Sequence, residues 1–224
     1  MKPMTEEHLA ILRRHMVEVI GIHVDMASEE LGRTALGERV IAALLKVPRH
    51  HFVPQQLAPL AYQDTPLPIG FDKTISQPFI AALMIDLLAP ESGHAVLEVG
   101  TGLGYQAALL AELSREVWSV EIVEEFAAEA KERLSDLGYG RVGIRVGDGS
   151  RGWAEHAPYD RILVTAAAQR VPKALVDQLK PGGRMVLPVG PAEAQALTLV
   201  EKAADGTISH EAIIPVRFTQ LEVA

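Results

Sequence analysis

The sequence predicts an α/β fold with a doubly wound, mostly parallel sheet. From Pro90 onward, short apolar runs typical of strands alternate with segments of helical periodicity, which is the pattern of βαβ units. Glycines punctuate the joins between these segments. The chain of 224 residues is long enough to bury the core of one such domain.

Composition and charge exclude several classes of protein. The chain is 48% hydrophobic and 22% charged, unlike a disordered chain. Its net charge of −8 disfavours binding to the phosphate backbone of nucleic acids as the main activity. It has no cysteine, so a disulfide framework, a cysteine–zinc site and a thiol nucleophile are all excluded. The eight histidines lack metal-ligand spacing, so no metal site is expected.

The first 90 residues are predicted to form a portion rich in helices and loops. Apolar residues at helical spacing predict an amphipathic helix over 5–20, and a second helix is expected over Gly37–Val47. Residues 48–75 carry five prolines and little periodicity, so a long loop is expected there. A third helix is predicted from Pro78 to Pro90.

The start of the chain also bears on localisation. Charged side chains interrupt the first 20 residues, so this segment is not expected to be a signal peptide. No run of about 18 apolar residues occurs, so no membrane-spanning helix is expected. We therefore expect a cytoplasmic protein.

The remainder of the chain supplies the predicted sheet. Strands are predicted at Ala95–Val99, Val117–Glu121, Val142–Val146, Arg161–Thr165 and Arg184–Val189. Helices are predicted between them at 104–114, 123–137 and 172–180. Segments 195–202 and 207–218 then alternate around a turn at Asp205–Gly206, which predicts an antiparallel hairpin at the sheet edge. We expect one domain over 1–224, with a helical and loop portion at 1–90 and a cofactor-binding α/β core at 91–224.

A glycine-rich segment, Glu98–Gly104, follows the first of these strands and opens a helix. Its spacing is G-x-G-x-G, because Tyr105 occupies the position of the third glycine in a dinucleotide fingerprint. Glycines there let a ligand approach the backbone closely. The acidic Glu98 suits a ligand end that carries positive charge, such as an amino group or a sulfonium, better than a pyrophosphate.

Two further acids follow the next two strands. Glu121 stands where such folds place an acid that accepts hydrogen bonds from ribose hydroxyls. Asp148, between two glycines, is placed to contact an adenine. Each feature has an ordinary alternative: a tight strand–helix turn, an exposed strand end and a turn aspartate. Their occurrence in order predicts S-adenosylmethionine as the cofactor.

Several segments resemble the protein-L-isoaspartate (D-aspartate) O-methyltransferase family over about residues 36–218. Its signature is matched by residues 62–78, which contain Thr74-Ile75-Ser76, and by Val47-Pro48-Arg49 with Phe52-Val53-Pro54. Further matching segments are 97–106, 147–149, 157–160, 164–168, 179–183 and 187–190. The Thr-Ile-Ser element is more specific to the family than the glycine loop is.

The resemblance implies a function and a set of site residues. The family transfers a methyl group from S-adenosylmethionine to the α-carboxylate of isoaspartyl residues in damaged proteins, and the ester then closes to a succinimide. A cytosolic monomer that acts on isoaspartyl peptides and proteins, not on nucleic acid or membranes, is implied. Ser76 matches the active-site serine, and substrate contacts are expected from Ser76, Lys73 and Thr219. Cofactor contacts are expected from Thr74, Ile75, Ser76, Glu98, Gly100, Thr101, Gly102, Glu121, Ile122, Asp148 and Gly149.

Two departures from the family pattern leave alternatives open. Lys73 stands where many bacterial members have glutamine, and Arg217-Phe218 replaces a Val-Pro-Leu run after the last strand. A methyltransferase acting on a different peptide or small-molecule carboxylate therefore stays open, as do a non-catalytic cofactor-binding protein and, more distantly, a nicotinamide dehydrogenase. Ser76 itself also fits a helix N-cap before Pro78, and Lys73 also fits a solvated loop charge.

The expected chemistry makes modest demands on the side chains. A carboxylate is already ionised at pH 7, so its methylation requires no strong base. The enzyme has to align the reacting atoms and exclude water. We therefore expect Ser76 to orient the substrate carboxylate by a hydrogen bond and not to act as a covalent nucleophile.

Overall fold

The computed structural model describes residues 4–223. Its helices are α1 (Glu6–Met26), α2 (Ser28–Leu31), α3 (Glu38–Lys46), α4 (Pro78–Leu88), α5 (Tyr105–Leu113), α6 (Glu124–Asp136) and α7 (Lys173–Gln178). Its strands are β1 (Leu67–Gly70), β2 (Lys73–Ile75), β3 (Ala95–Val99), β4 (Glu116–Glu121), β5 (Gly143–Val146), β6 (Tyr159–Val164), β7 (Leu179–Val189), β8 (Gln195–Lys202) and β9 (Ile208–Val216).

Seven strands form the main sheet, in the order β5-β4-β3-β6-β7-β8-β9. Strands β3 to β7 pair in parallel, whereas β8 and β9 add antiparallel pairs at one edge. The predicted fold class is therefore confirmed, including the edge hairpin. The strand order reverses at β3, so the carboxyl ends of β3, β4 and β6 border the crevice in which such sheets bind ligands.

The N-terminal helices pack on the same core as the sheet. Met16 of α1, Leu44 of α3, Leu83 of α4 and Leu109 of α5 are buried in one hydrophobic cluster. Strand β3 passes through the middle of the molecule, with all five of its residues buried. This burial fixes the strand whose carboxyl end leads into the glycine loop.

Two element boundaries differ from the predictions by several residues, and the other predicted strand and helix boundaries by no more than two. Helix α1 continues to Met26, because Ile20 and Val24 keep its buried stripe in phase beyond residue 20. Strand β7 begins at Leu179 and not at Arg184, because Leu179 pairs with Tyr159 before the register shifts. The predicted helix over 172–180 is correspondingly shortened.

The prediction of a long loop over 48–75 is wrong. The segment contains two short 3-10 helices, Arg49–Phe52 and Gln55–Leu60, and then the antiparallel β1–β2 hairpin. Phe71 and Asp72 join the two strands with φ of 49° and 55°. Left-handed conformations at both central residues are typical of a tight hairpin turn, but the usual Asn-Gly or Asp-Gly signal is missing. The hairpin brings Lys73, Thr74 and Ile75 to the rim of the crevice.

Candidate active site

A cleft lies in the crevice, between the β1–β2 hairpin, the glycine loop, the end of β4 and the C-terminal tail. The predicted site residues that line it are Lys73, Thr74, Ile75, Ser76, Glu98, Gly100, Thr101, Gly102, Glu121, Ile122, Gly149 and Thr219. Asp148 does not line this cleft, although its neighbour Gly149 does. We call this cleft the cofactor cavity.

The glycine loop is compressed between neighbouring elements. Gly100 has φ of 91°, and a Cβ there would lie 2.3 Å from Thr165 Oγ1. The Thr165 hydroxyl donates to the Gly100 carbonyl at 2.7 Å, which ties the loop to the end of β6. Gly104, with φ of 96°, begins α5 against the side chain of Leu134. Both glycines are therefore required by the protein's own packing as well as by access to the cavity.

Glu98 lies wholly buried on β3 and lines the cofactor cavity. Ser119 Oγ donates to Glu98 Oε2 at 2.5 Å, while Glu98 Oε1 has no hydrogen-bond partner within residues 4–223. Burial is the main reason that the pKa of Glu98 is raised to about 8. A buried carboxyl oxygen without a donor fits a ligand that brings an amino group. This chemistry matches S-adenosylmethionine.

Glu121 ends β4 with a carboxylate held by two backbone amides. Gly102 N donates to Oε2 at 2.7 Å and Val123 N donates to Oε1 at 3.0 Å. Each carboxylate oxygen can accept a second hydrogen bond. The arrangement therefore holds the group at the cavity wall with acceptor capacity left for a pair of ribose hydroxyls.

Asp148 makes the contacts of a turn residue. Its Oδ1 accepts a hydrogen bond from Ser150 N at 2.9 Å, and its Oδ2 lies 3.3 Å from Arg151 Nε. These contacts cap the short 3-10 helix Gly149–Arg151. The predicted contact between Asp148 and an adenine stays a prediction.

Ser76 lies where two clefts meet. Thr74, Ser76, Thr165 and Thr219 line the cofactor cavity and also an adjoining cleft, which we call the substrate cleft. Its other lining residues are Pro66, Gln77, Ile80, Pro215, Val216, Arg217 and Phe218. The geometry therefore places the Thr-Ile-Ser element and Thr219 between a cavity for the cofactor and a route from the surface.

The alternative interpretation of Ser76 as the N-cap of α4 is wrong. Gln77 is the capping position, and no side chain at that position makes the capping bond. Asp64 does so from a distance in sequence, because its Oδ1 accepts a hydrogen bond from Phe79 N at 2.8 Å. The Ser76 hydroxyl is thus not used to begin the helix.

Lys73 is a partly exposed charge that is paired with another side chain. Its Nζ pairs with Glu222, and its side chain is 23% exposed. Leu221 N donates to the Ala167 carbonyl at 2.8 Å, which holds the tail beside the end of β6. Lys73 and Glu222 therefore connect the β1–β2 hairpin to the C-terminal tail across the rim of the cofactor cavity.

Three residues near the site were not predicted. Thr165 directly follows β6 beside the glycine loop, and its position at the carboxyl end of a strand was an available signal. Asp64 and Arg49 act on the segment around Ser76 from the 48–75 region. Nothing in their local sequence pattern indicates these contacts, because each depends on how the segment folds back on itself.

Two features are absent from residues 4–223: a metal-binding cluster and a membrane-spanning helix. No group of three or more histidine, cysteine, aspartate or glutamate side chains is arranged to hold a metal ion. Within the same residues, no helix has both the length and the apolar character needed to cross a membrane.

Comparisons with known proteins agree with this geometry. A family model described as protein-L-isoaspartate(D-aspartate) O-methyltransferase matches residues 26–223. In Polaromonas sp., protein-L-isoaspartate O-methyltransferase 1 is 52% identical over 221 residues, which is 99% of this chain and 94% of that protein. The second protein of that name in Polaromonas sp. is 56% identical over 207 residues, or 92% of this chain and 98% of that protein.

Solved structures show the same fold. One protein-L-isoaspartate O-methyltransferase structure aligns with a TM-score of 0.79 at 28% identity, covering 93% of this chain and 65% of that chain. A Plasmodium falciparum structure in complex with S-adenosyl-L-homocysteine aligns with a TM-score of 0.74, covering 88% of this chain and 97% of that chain. At 24% identity, this second structure supports the fold alone. On the family model and the similarity to the Polaromonas proteins, the chain belongs to the protein-L-isoaspartate (D-aspartate) O-methyltransferase family.

Proposed function

We propose that this chain methylates the α-carboxylate of isoaspartyl residues in damaged proteins, using S-adenosylmethionine, and that Ser76 holds that carboxylate. The ester product then closes to a succinimide, from which normal aspartate can form. The observation that carries the assignment of Ser76 is its position at the junction of the cofactor cavity and the substrate cleft. A group held there faces the cofactor on one side and the incoming peptide on the other.

The cofactor would be held by residues already described. Glu98 would accept hydrogen bonds from its amino group, Glu121 from its ribose hydroxyls, and the glycine loop would allow close approach of the backbone. Asp148 is proposed to contact the adenine from beside Gly149. When bound, S-adenosylmethionine supplies a methyl group activated by the positive charge on sulfur.

The chain's own residues have to orient and desolvate the substrate carboxylate. No side chain needs to remove a proton, since a carboxylate is ionised at pH 7. The Ser76 hydroxyl donates a hydrogen bond that replaces lost hydration without adding a charge. Orientation of this kind can supply about 7–11 kcal/mol towards a displacement reaction. Thr165 and Thr219 line the same junction. The Thr219 hydroxyl is available as a further donor, whereas the Thr165 hydroxyl already donates its proton to the Gly100 carbonyl.

The polypeptide on either side of the isoaspartyl residue is proposed to lie in the substrate cleft. This cleft adjoins a groove lined by His23, Met26 and Phe79. The cleft and the groove share three lining residues: Gln77, Ile80 and Pro215. Such an open path suits a substrate embedded in a longer chain better than a small molecule. Lys73 is proposed to slow release of the cofactor product through its pairing with Glu222, at the edge of the cofactor cavity.

We further propose a cytoplasmic monomer made of one domain over residues 1–224. Helices α1, α3 and α4 share a buried cluster with α5, which supports one cooperative unit. The net charge of −8 argues against nucleic acid as a partner.

The proposed activity is tested with two peptides that are identical except for isoaspartate or normal aspartate at one position. Methyl release from S-adenosylmethionine is measured for each. We expect methylation of the isoaspartyl peptide and none of the aspartyl peptide above background. Equal methylation of both peptides, or of neither, would contradict the proposed function.

The role of Ser76 is tested by Ser76→Ala. Loss of one positioned donor is expected to lower kcat/KM on the order of 10²-fold. The affinity for S-adenosylhomocysteine should stay within about threefold, and the melting temperature should change little, because Ser76 does not cap α4.

The matched control is Ser209→Ala, a serine on the exposed face of edge strand β9, which should leave activity unchanged. If Ser76→Ala retained more than a third of the wild-type kcat/KM, the proposed role of Ser76 would be wrong.

A further inference from the structure

Arg49 is the largest side chain buried completely in the described structure. It begins the 3-10 helix Arg49–Phe52, and it reaches two carbonyls: Nε donates to Ala61 O at 2.8 Å and Nη2 donates to Ser76 O at 2.7 Å. Its Nη1 makes no hydrogen bond of ordinary geometry within residues 4–223, but the Tyr105 hydroxyl lies close enough to help stabilise the charged form. The guanidinium also lies over the ring of Tyr105, 4.8 Å from the centroid.

This environment does not neutralise the charge of Arg49. No ion pair of Arg49 is found among residues 4–223, and its charged form is favoured chiefly by Tyr105 and then by the more remote Asp64. Burial lowers the pKa of Arg49, yet an arginine side chain stays protonated at neutral pH because its ordinary pKa exceeds 12. A buried cation of this kind costs stability unless something compensates it.

The substrate raises the opposite problem. The reacting group is an anion, whereas the protein carries a net charge of −8. Lys73 is already paired with Glu222, and Arg217 is exposed, so solvent and salt screen its charge. Arg49 is the cation that contacts the Ser76 backbone directly, away from solvent.

We infer that Arg49 is a positioning residue for substrate binding, which holds the Ser76 backbone in place and supplies the buried positive charge that attracts the isoaspartyl carboxylate. The inference rests on the proposed role of Ser76. A charge in a low-dielectric interior acts over several ångströms with little screening. Because the guanidinium is already fixed by two carbonyls, it needs no reorganisation when the anion arrives.

The experiment compares two peptides in the presence of S-adenosylhomocysteine. One carries the isoaspartyl α-carboxylate, and in the other that carboxylate is replaced by a carboxamide of the same shape. Their dissociation constants are measured for the wild type, for Arg49→Met, which removes the charge, and for Arg49→Lys, which keeps it. The affinity for S-adenosylhomocysteine alone reports on folding and on the cofactor cavity.

For Arg49→Met we expect affinity for the carboxylate peptide to fall at least tenfold, while affinity for the carboxamide peptide changes less than threefold. Arg49→Lys should recover part of the lost affinity. Affinity for S-adenosylhomocysteine should stay within about threefold. Equal weakening of both peptides would overturn the inference, since a merely structural role makes no distinction between charged and neutral ligands.

A measurement on the wild type keeps the inference testable if Arg49→Met does not fold. The preference for carboxylate over carboxamide should persist as salt rises from about 0.05 to 0.5 M, because a buried charge is poorly screened. If the preference disappeared over this range, the source of the attraction would be an exposed cation such as Arg217, and the inference would be overturned. Failure of the wild type to methylate the isoaspartyl peptide would instead overturn the proposed function itself.

Discussion

Glu98 illustrates how burial changes the meaning of a single residue. In the sequence it is an acid before a glycine loop, and its charge indicated a cationic ligand. In the structure it is wholly buried, and desolvation raises its pKa to about 8. Its protonation in the cofactor-free protein is therefore coupled both to stability and to cofactor binding.

The first prediction concerns stability and pH in the cofactor-free protein. The pKa of Glu98 rises from its ordinary value of 4.5 to about 8 on folding, so the folded state binds more protons between those values. The free energy of unfolding should therefore decrease as pH rises through this window. Glu98→Gln should reduce the decrease, measured by urea unfolding at pH 5.5 and 8.5. An unchanged pH dependence in Glu98→Gln would exclude Glu98 as its source.

Cofactor binding gives a second readout on the same residue. If Glu98 ionises to bind an ammonium group, binding of S-adenosylhomocysteine at pH 7 should release a proton. Calorimetry in two buffers of different ionisation enthalpy measures this release. Glu98→Gln should bind more weakly and should lose this contribution to proton release. Equal proton release by the two proteins would contradict the assignment.

The second prediction concerns Gly100. Gly100→Ala should be destabilised in two ways. The backbone is left-handed there, with φ of 91°, and the added Cβ would lie 2.3 Å from Thr165 Oγ1. Gly206→Ala is the matched control, because Gly206 has φ of 88° but open space around it. We expect the control to lose about 1–2 kcal/mol from backbone strain alone. Gly100→Ala should lose more, and should weaken S-adenosylhomocysteine binding at least tenfold. Similar losses in both variants would show that Thr165 does not restrict the loop.

At the scale of elements, α4 depends on a residue outside it. Helix α4 has no capping bond from its own N-cap side chain, and Asp64 supplies one from the preceding segment. Asp64 also accepts a hydrogen bond from Gln77 Nε2 at 2.8 Å and lies 2.6 Å from His23 Nδ1 of α1. One carboxylate thus connects α1, the 48–75 segment and the start of α4, next to Ser76.

The third prediction concerns this cap. Asp64→Ala should lower the free energy of unfolding by about 1–2 kcal/mol or more, as for other lost helix caps. The melting temperature should fall by about 2–4 °C for each kcal/mol in a domain of this size. Asp64→Asn keeps an acceptor oxygen and should recover much of the loss. The control is Thr5→Ala, which removes the more exposed cap of α1. If Asp64→Ala cost no more than Thr5→Ala, the connecting role of Asp64 would be wrong.

The hairpin is the element that the sequence analysis missed. Leu67 and Ile69 alternate with the exposed Pro68 and Gly70, which is a strand pattern, but four residues are too few for periodicity to separate a strand from a loop. Pro68 within the strand and Pro66 just before it also argue against a strand. Only packing of the hairpin over the cofactor cavity decides the conformation.

At the scale of the whole molecule, the β1–β2 hairpin and the C-terminal tail, which are distant in sequence, meet at the cofactor cavity. The β1–β2 hairpin forms one side of its rim and the C-terminal tail forms the other, and Lys73 and Glu222 join them. These two residues lie far apart in sequence. Both residues line the cofactor cavity, and their pairing joins the hairpin to the tail there.

The fourth prediction is that this ion pair slows release of the cofactor product. Lys73→Gln and Glu222→Gln should each increase the dissociation rate of S-adenosylhomocysteine by about two- to fivefold, the range expected of an exposed pair worth up to about 1 kcal/mol. The reversed pair, Lys73→Glu with Glu222→Lys, should restore a rate near that of the wild type. Stopped-flow displacement measures the rates. If the reversed pair dissociated as fast as the single variants, the rate would not depend on this pairing.

The sequence by itself determined the α/β fold class, the position of the glycine loop and two acids, Glu98 near the end of β3 and Glu121 at the end of β4. These features are local. Strand and helix periodicity, turn residues and the order of motifs can be identified without knowing which residues they contact in the folded protein. The resemblance of the Thr-Ile-Ser element to the family signature, and not a local pattern, indicated Ser76 as the active-site residue, and this role stays a prediction.

Only the tertiary structure decided which polar groups support Ser76 and close the cavity. Asp64 caps α4, Arg49 binds the Ser76 carbonyl and Lys73 pairs with Glu222. Each of these contacts joins separate segments of the chain. Its contribution to stability depends on burial, which cannot be read from a sequence pattern. The net charge of −8 opposes the binding of an anionic substrate. The buried Arg49, which donates to the Ser76 carbonyl, is the cation that we propose attracts it.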